Sequence, residues 1–368
     1  MVSKIRNKEK FVSLAIVVGT ALQERITRSI LPGFNETSRI GSPTIISLEN
    51  FYQFRIDLTG YTRVIRMKSP ISRPWYDRRP ILKIVSLPHY LWRIFLLSRK
   101  FRYFIFYTDT GILDRSAIVL LKLIGRHSIV VQEALKLPLL SGNKRALLWF
   151  GSGNADHYLL IGDRYIPLIQ KGNVIVTGSP VLNGNVKPLP PGNRILVVNQ
   201  TPARYGYITE DMEFSLIQEV VDRASQYGDV ELRLHPHNNA ARYEKLNSPV
   251  VEVSVNKPLF DSISESGIVL CIRSTVILEA ISYGRPVLVL DWFPSNYQNT
   301  IRKGTTSCKS IDEMCDALKV WKENHTVPMT SMEEIQRELK SFVAYSGEDS
   351  VKRITKAIES IIKEGEKI

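Results

Sequence analysis

The chain has 368 residues, 44% of them hydrophobic and 23% charged, with a formal net charge of +13. That length exceeds one ordinary core and points to two domains of about 150–200 residues, and no apolar run reaches the roughly 18–20 residues that span a bilayer. Cys271, Cys308 and Cys315 are too few and too scattered for a disulfide framework or a paired-thiolate metal site, so a cytoplasmic protein is expected.

The basic N-terminus (Lys4, Arg6, Lys8, Lys10) runs into Phe11–Thr20, whose apolar stretch lacks a small-residue cleavage pattern and reads as a first core strand. Between Arg63 and Arg102 lie eleven Lys/Arg against one acid, Asp77, interleaved with Trp75, Tyr76, Tyr90, Trp92, Phe95, Phe101 and Tyr103. No RNP, zinc-finger or helix-turn-helix pattern accompanies this patch, so nucleic acid is the weaker reading. Leu87–Leu97 (LPHYLWRIFLL) has the character of a segment lying at an anionic membrane surface, which would place the protein peripherally on the inner face of the cell membrane. The alternative is a core-facing helix with a solvated basic edge. Phe101–Tyr107 then predicts a strand, Asp114–Ile124 a helix, and Ser128–Val131, His157–Gly162 and Val174–Val176 further strands.

Residues Gly178–Gly192 hold four prolines and two further glycines besides Gly178, a composition that no helix or central strand survives. The expected organisation is therefore a Rossmann-like domain over 1–180, a linker over 181–192 and a second Rossmann-like domain over 193–368. In the second half, strands are predicted at Arg194–Asn199, Val230–Leu234, Pro249–Val255, Ile268–Ile272 and Pro286–Leu290. Helices are predicted at Met212–Tyr227, Leu259–Ser266 and Thr275–Tyr283. Strand and helix alternating with short loops means right-handed βαβ units and a parallel sheet. Ser350–Ile362 reads as an amphipathic helix closing that second domain. Two such domains make a cleft, and ligands bind at the C-terminal ends of their strands.

Two segments carry chemistry. Ser274 is placed to cap the helix after Ile268–Ile272, so that backbone N–H groups beside Arg273 and Thr275 offer an anion site suited to a nucleotide phosphate. Glu279 follows one turn later, placed to accept hydrogen bonds from a ribose diol. At the end of the strand Val230–Leu234, His235 can donate to a phosphate oxygen, with Pro236 fixing the backbone that aims it. An N-cap needs no ligand and a strand-end histidine is often structural; the two together at one sheet edge are what count.

VTGSP (Val176–Pro180), RLHPH (Arg233–His237) and STVILEAISYGRPVLVLD (Ser274–Asp291), in that order and spacing, resemble GT-B-fold glycosyltransferases of the bacterial polysaccharide type. These include transferases for CMP-activated acidic sugars and, more distantly, CDP-glycerol polymerases. The resemblance implies an α/β protein of two Rossmann-like parallel-sheet domains facing a central cleft. It also implies that His235, Ser274 and Thr275 contact the nucleotide phosphates, that Glu279 holds the ribose, and that Thr201 and Arg204 border the base or phosphates. Related sequences often carry a His-Gly after the strand equivalent to Ser128–Val131. Here that place reads Gln132-Glu133-Ala134, so the family's catalytic base does not carry over.

The expected reaction moves a sugar or polyol phosphate from a nucleotide-activated donor to a glycan or lipid-linked acceptor, with inversion. It needs a general base near the acceptor and N–H or cationic donors on the leaving phosphate. The chain contains no Asp-x-Asp, so His235 and the Ser274 helix end stand in for a metal, and no cofactor is expected. The base candidates are Glu133 after SIVV and Asp109 after FIFYT. Two alternatives remain. A GT-B-related sugar-nucleotide 2-epimerase is expected to show an Asp-Ser-Gly-Gly stretch and a Glu-Glu pair, where this chain has Cys-Ile-Arg-Ser-Thr and a single Glu279. A non-catalytic phosphate- or nucleic-acid-binding scaffold would rest on the basic patch.

Overall fold

In a computed structural model of the chain, residues 13–35, 43–48, 57–67, 81–134, 150–190, 192–203, 207–235, 238–272, 274–293, 301, 303–324 and 331–366 are described. They form two compact units. The first comprises 13–134, 150–182 and the C-terminal segment from Phe342; the second comprises 183–341.

The first unit is a parallel sheet built of β1 (Leu14–Val18), β2 (Thr44–Ser47), β3 (Val64–Arg66), β4 (Tyr103–Phe106), β5 (His127–Val131), β6 (His157–Leu160) and β7 (Asn173–Val176). The strands lie in the order β3-β2-β1-β4-β5-β6-β7. Its helices are α1 (Ala21–Asn35), α2 (Ile81–Ser98) and α3 (Ile112–Leu123). Strands β1, β2 and β4 are buried on both faces, which explains why LAIVV, TIIS and YFIF show no period-two alternation. Strand order reverses between β1 and β4.

The second unit repeats the plan. Its elements are β8 (Arg194–Val198), α4 (Glu210–Ala224), β9 (Val230–Arg233), α5 (Ala240–Tyr243), β10 (Val251–Ser254), α6 (Leu259–Glu265), β11 (Ser266–Cys271), α7 (Val276–Ser282), β12 (Val287–Leu290), β13 (Thr305–Cys308), α8 (Ile311–Asn324) and α9 (Met332–Phe342). The order β10-β9-β8-β11-β12-β13 is wholly parallel. Its switch point falls between β8 and β11, where doubly wound sheets open a crevice for ligands.

The described residues of the proline-rich segment form no helix or strand, as its composition requires, but they are firmly held. The guanidinium of Arg285, 4% exposed, donates to the carbonyls of Leu189, Pro190, Ile263 and Ser264. Gln336 accepts from Val186 N–H and donates to the Gly184 carbonyl. Those residues therefore belong physically to the second unit.

One expectation is corrected. The C-terminal helix α10 (Gly347–Gly365) closes the first unit, not the second. Its buried face (Ile354, Ile358, Ile361, Ile362) packs into the core of Leu14, Ile16, Ile26, Ile30 and Phe34. Arg102 donates to the Gly365 carbonyl at 2.6 Å and Tyr103 Oη to that of Ile362 at 3.2 Å. The return is pinned at Gly178, whose φ of +82° suits glycine and whose Cβ, if present, would run into the Tyr345 carbonyl. A 3.6-residue apolar stripe shows that a helix must be covered, not which sheet covers it.

Candidate functional site

The C-terminal ends of β8, β9 and β11 lie side by side in the second unit. Each is followed by a residue that the sequence marked: Thr201, His235 and Ser274. The ladder continues beyond the strands, with Asn199 N–H donating to the Arg233 carbonyl and Leu234 N–H to that of Ser254. His235 therefore sits at a fixed height on the sheet edge. Its N–H donates to Asn238 Oδ1 at 2.9 Å, and Asn238 N–H returns a bond to the His235 carbonyl at 2.8 Å. One strand, β8, separates β9 from β11, so His235 and the Ser274 turn stand on strands about 10 Å apart.

The loops are positioned by Glu213, in the first turn of α4 and 3% exposed. One of its oxygens accepts from Asn199 Nδ2 (3.1 Å), Asn238 Nδ2 (3.0 Å) and Tyr243 Oη (3.1 Å). The other accepts from Ala203 N–H at 2.8 Å. A single buried carboxylate thus ties the loop after β8 to the loop after β9. The sequence reading missed it, although a signal exists: Glu213 sits on the buried stripe of α4 with Ile217, Val220, Val221 and Ala224. An acid on an apolar stripe implies converging donors.

Thr201 follows with φ of +54°, a left-handed conformation that costs a β-branched residue about 1–2 kcal/mol. Its side chain is 3% exposed and its hydroxyl has no hydrogen-bond partner among the described residues. Thr201 is therefore buried beneath the loop rather than exposed along it. Arg204, Pro236 and Arg273 lie outside the described residues.

Ahead of α7, Ser274 Oγ accepts from Val276 N–H at 3.2 Å and the Ser274 carbonyl from Ile277 N–H at 3.1 Å, but the N-cap position falls on Thr275, whose side chain makes no capping bond, one residue later than the sequence predicts. Thr275 and Glu279 are half-buried. Glu279 lies near enough to Arg233 and Tyr283 to act on both electrostatically: it favours the charged Arg233, although burial still holds that guanidinium below its ordinary value, and it adds to the upward push of burial on Tyr283.

Beneath the β9 end is a second buried carboxylate, Glu231, 1% exposed. It accepts from Ser254 Oγ (2.7 Å), Ser262 Oγ (2.6 Å) and Lys257 Nζ (2.9 Å). Burial pushes this carboxyl up, but the hydroxyls of Ser262 and Ser254 and the Lys257 ammonium outweigh it, and the group titrates below its ordinary 4.5. A depressed carboxylate stabilises the fold fully above its ordinary value and loses that contribution as pH falls below it. The melting-temperature gap between wild type and Glu231→Gln is therefore expected to be wide at neutral pH and to close as pH drops below about 4.5. A gap constant with pH would refute the assignment.

In the first unit, the two candidate bases divide. Asp109 is 0% exposed and its carboxylate accepts from Gly151 N–H (3.0 Å), Gly153 N–H (2.7 Å) and Tyr158 Oη (2.8 Å). It anchors the loop Phe150–Gly153, and donors engage both of the oxygens that a general base would need free. Glu133 is half-buried just after β5 and acts electrostatically on Tyr107 at the end of the adjacent β4. Its neighbour Gln132 is locked, accepting from Ile161 N–H and donating to the Ala134 carbonyl.

No family model and no curated protein matches the chain. Solved structures do. UDP-GlcNAc 2-epimerase of Methanocaldococcus jannaschii, in complex with UDP-GlcNAc and UDP, superposes with a TM-score of 0.62 at 11% identity, over 95% of this chain and 100% of that one. A glycosyltransferase from Rickettsia africae gives 0.56 at 10%, over 96% and 99%. The glycotransferase of kitacinnamycin gives 0.57 at 12%, over 95% and 99%. The chain has the GT-B fold. The two Rossmann-like parallel sheets, of seven and six strands, match that fold from end to end. No helix among the described residues is long and apolar enough to cross a membrane.

Proposed function

We propose that this protein is a nucleotide-sugar enzyme, and specifically a glycosyltransferase acting on a glycan or lipid-linked acceptor. The observation that carries the reading is the shared edge of β8, β9 and β11 at the switch point, with the β8 and β9 loops held to one another by Glu213. In the proposed reaction His235 and the N–H groups after Ser274 receive the leaving phosphate, and Glu279 receives the ribose. The acceptor oxygen bonds to the anomeric carbon as the bond from that carbon to phosphate breaks, and a general base takes the hydroxyl proton. The phosphate charge is met by imidazole and N–H donors, so turnover is expected to persist undiminished in excess EDTA. A strict divalent-ion requirement would contradict this mechanism.

The solved neighbours support a second reading comparably. Their names include UDP-GlcNAc 2-epimerases alongside glycosyltransferases. Against it stands the β11–α7 turn, Cys271-Ile272-Arg273-Ser274-Thr275 with a lone Glu279, in place of the acidic pair the epimerases are expected to show. The nucleotide in the epimerases' names is UDP, whereas the sequence resemblance points to cytidine nucleotides.

Thermal-shift measurements with CMP, CDP, UDP and GDP separate the options. A ligand at about 100 times its Kd stabilises the native state by about 2.7 kcal/mol. One base is expected to raise the melting temperature by several degrees; no shift with any of the four would refute the site. Incubation with the corresponding sugar nucleotide alone then distinguishes an epimerised product from donor that stays unchanged until an acceptor is added.

A further inference from the structure

The stretch Arg63–Arg102 is not a single surface. Arg63 and Arg66 lie at the edge strand β3, residues 68–80 fall outside the described residues, and the remainder is α2 and its sequel. Helix α2 buries Tyr90 and Ile94 while leaving Trp92 56% exposed. It packs beside α3, which leaves Val119 45% and Leu123 79% exposed. Both helices make right-handed crossovers into successive parallel strands, β4 and β5, so they cover one side of the sheet and run in the same direction. Their C-terminal ends are tied together by Arg126 Nε donating to the Ser98 carbonyl at 2.8 Å.

The outward surface of this pair is apolar and cationic at once. Arg93, Arg99, Lys100 and Lys122 are exposed among Trp92, Val119 and Leu123. The Trp92 ring stacks on Phe95, and the Arg99 guanidinium lies 5.3 Å from the centroid of the same phenylalanine ring. From Ile81 to His127 there are eight Lys/Arg and two carboxylates. Both carboxylates of this stretch, Asp109 and Asp114, are buried; the acids facing it from other elements are Asp156, near His127, and Glu366, near Tyr103, so the cations outnumber the exposed acids around them.

We propose that the α2–α3 face of the first unit docks on an anionic lipid surface. Charge complementarity selects this occupant, because an excess of exposed cations favours phosphate headgroups and an amphipathic tryptophan beside leucine and valine suits the interface below them. A second copy of the chain would bring cations against cations. This proposal goes beyond the sugar-nucleotide chemistry and is tested without turnover, so either reading can fail alone.

The experiment is co-sedimentation of the full chain with vesicles of phosphatidylcholine alone or mixed with phosphatidylglycerol, at about 0.1 M and about 0.5 M salt. Binding is expected to the mixed vesicles only, and to weaken at high salt. Each neutralisation among Arg99→Gln, Lys100→Gln and Lys122→Gln is expected to lower partitioning about fivefold. Trp92→Ser and Leu123→Ser should do so at least as strongly with salt dependence retained, since they remove buried apolar area. All five positions are exposed, so circular dichroism and melting temperature should match wild type. Absence of wild-type binding to mixed vesicles, or equal binding by all variants, would overturn the proposal. So would a dimer that Leu123→Ser dissociates, or equally tight, salt-sensitive binding to single-stranded RNA.

Discussion

Glu213→Ala is expected to lower the stability of the protein by about 3 kcal/mol and to abolish measurable nucleotide binding. The truncation removes the carboxylate that Asn199 Nδ2, Asn238 Nδ2, Tyr243 Oη and Ala203 N–H share, leaving Asn199 Nδ2 only its bond to Tyr243 Oη. Its second effect is geometric. Two loops that now share one carboxylate become independent, so the turn carrying His235 loses its register against Asn199. Glu213→Gln keeps the volume but turns one acceptor into a donor facing donors, and should fall between. Urea unfolding and nucleotide titration are the measurements. Wild-type behaviour of Glu213→Ala in both would show that the loops are held by the sheet alone.

His235→Ala is expected to reduce kcat about 10²–10³-fold, the usual scale for losing one preorganised donor to a developing oxyanion, with the melting temperature unchanged. The bonds to Asn238 survive truncation, because they use the main-chain N–H and carbonyl of His235. The double change Ser274→Ala/Thr275→Ala is expected to impair turnover comparably, but also to cost about 1 kcal/mol, because Ser274 Oγ holds Val276 N–H. That contrast separates the positions: an active-site loss without a stability loss at 235, and both at 274. Wild-type turnover in the two variants would remove the phosphate-binding assignment whatever the reaction.

Among the marked residues, those legible from sequence stand at strand ends, where a short apolar run stops and polar residues begin. His235 after VELRL and Ser274 after VLCIR are of this kind, and the predicted elements there lie within a residue or two of those observed. Asp109 shows the limit of the same rule. It too follows an apolar strand, yet its oxygens are consumed by the amides of Gly151 and Gly153, more than forty residues away. Local pattern marks where a side chain emerges and says nothing of what meets it. Strand β13 escaped for a related reason: TTSC lacks an apolar run and acquires its strand character by pairing with β12.

The feature that sequence alone determined is the alternation of apolar runs with helical stripes, and from it two parallel-sheet domains, because chain chirality leaves βαβ units one favourable hand. It also marked His235, Ser274 and Glu279 before any geometry was known. Tertiary structure decided the rest: the strand orders that put the second switch point between β8 and β11, the return of α10 to the first sheet, and the Glu213 and Glu231 networks. Each of these depends on contacts between segments far apart in the chain. Apolar burial has magnitude but no direction, so the sequence announces that a face must be covered and only the folded chain selects its partner.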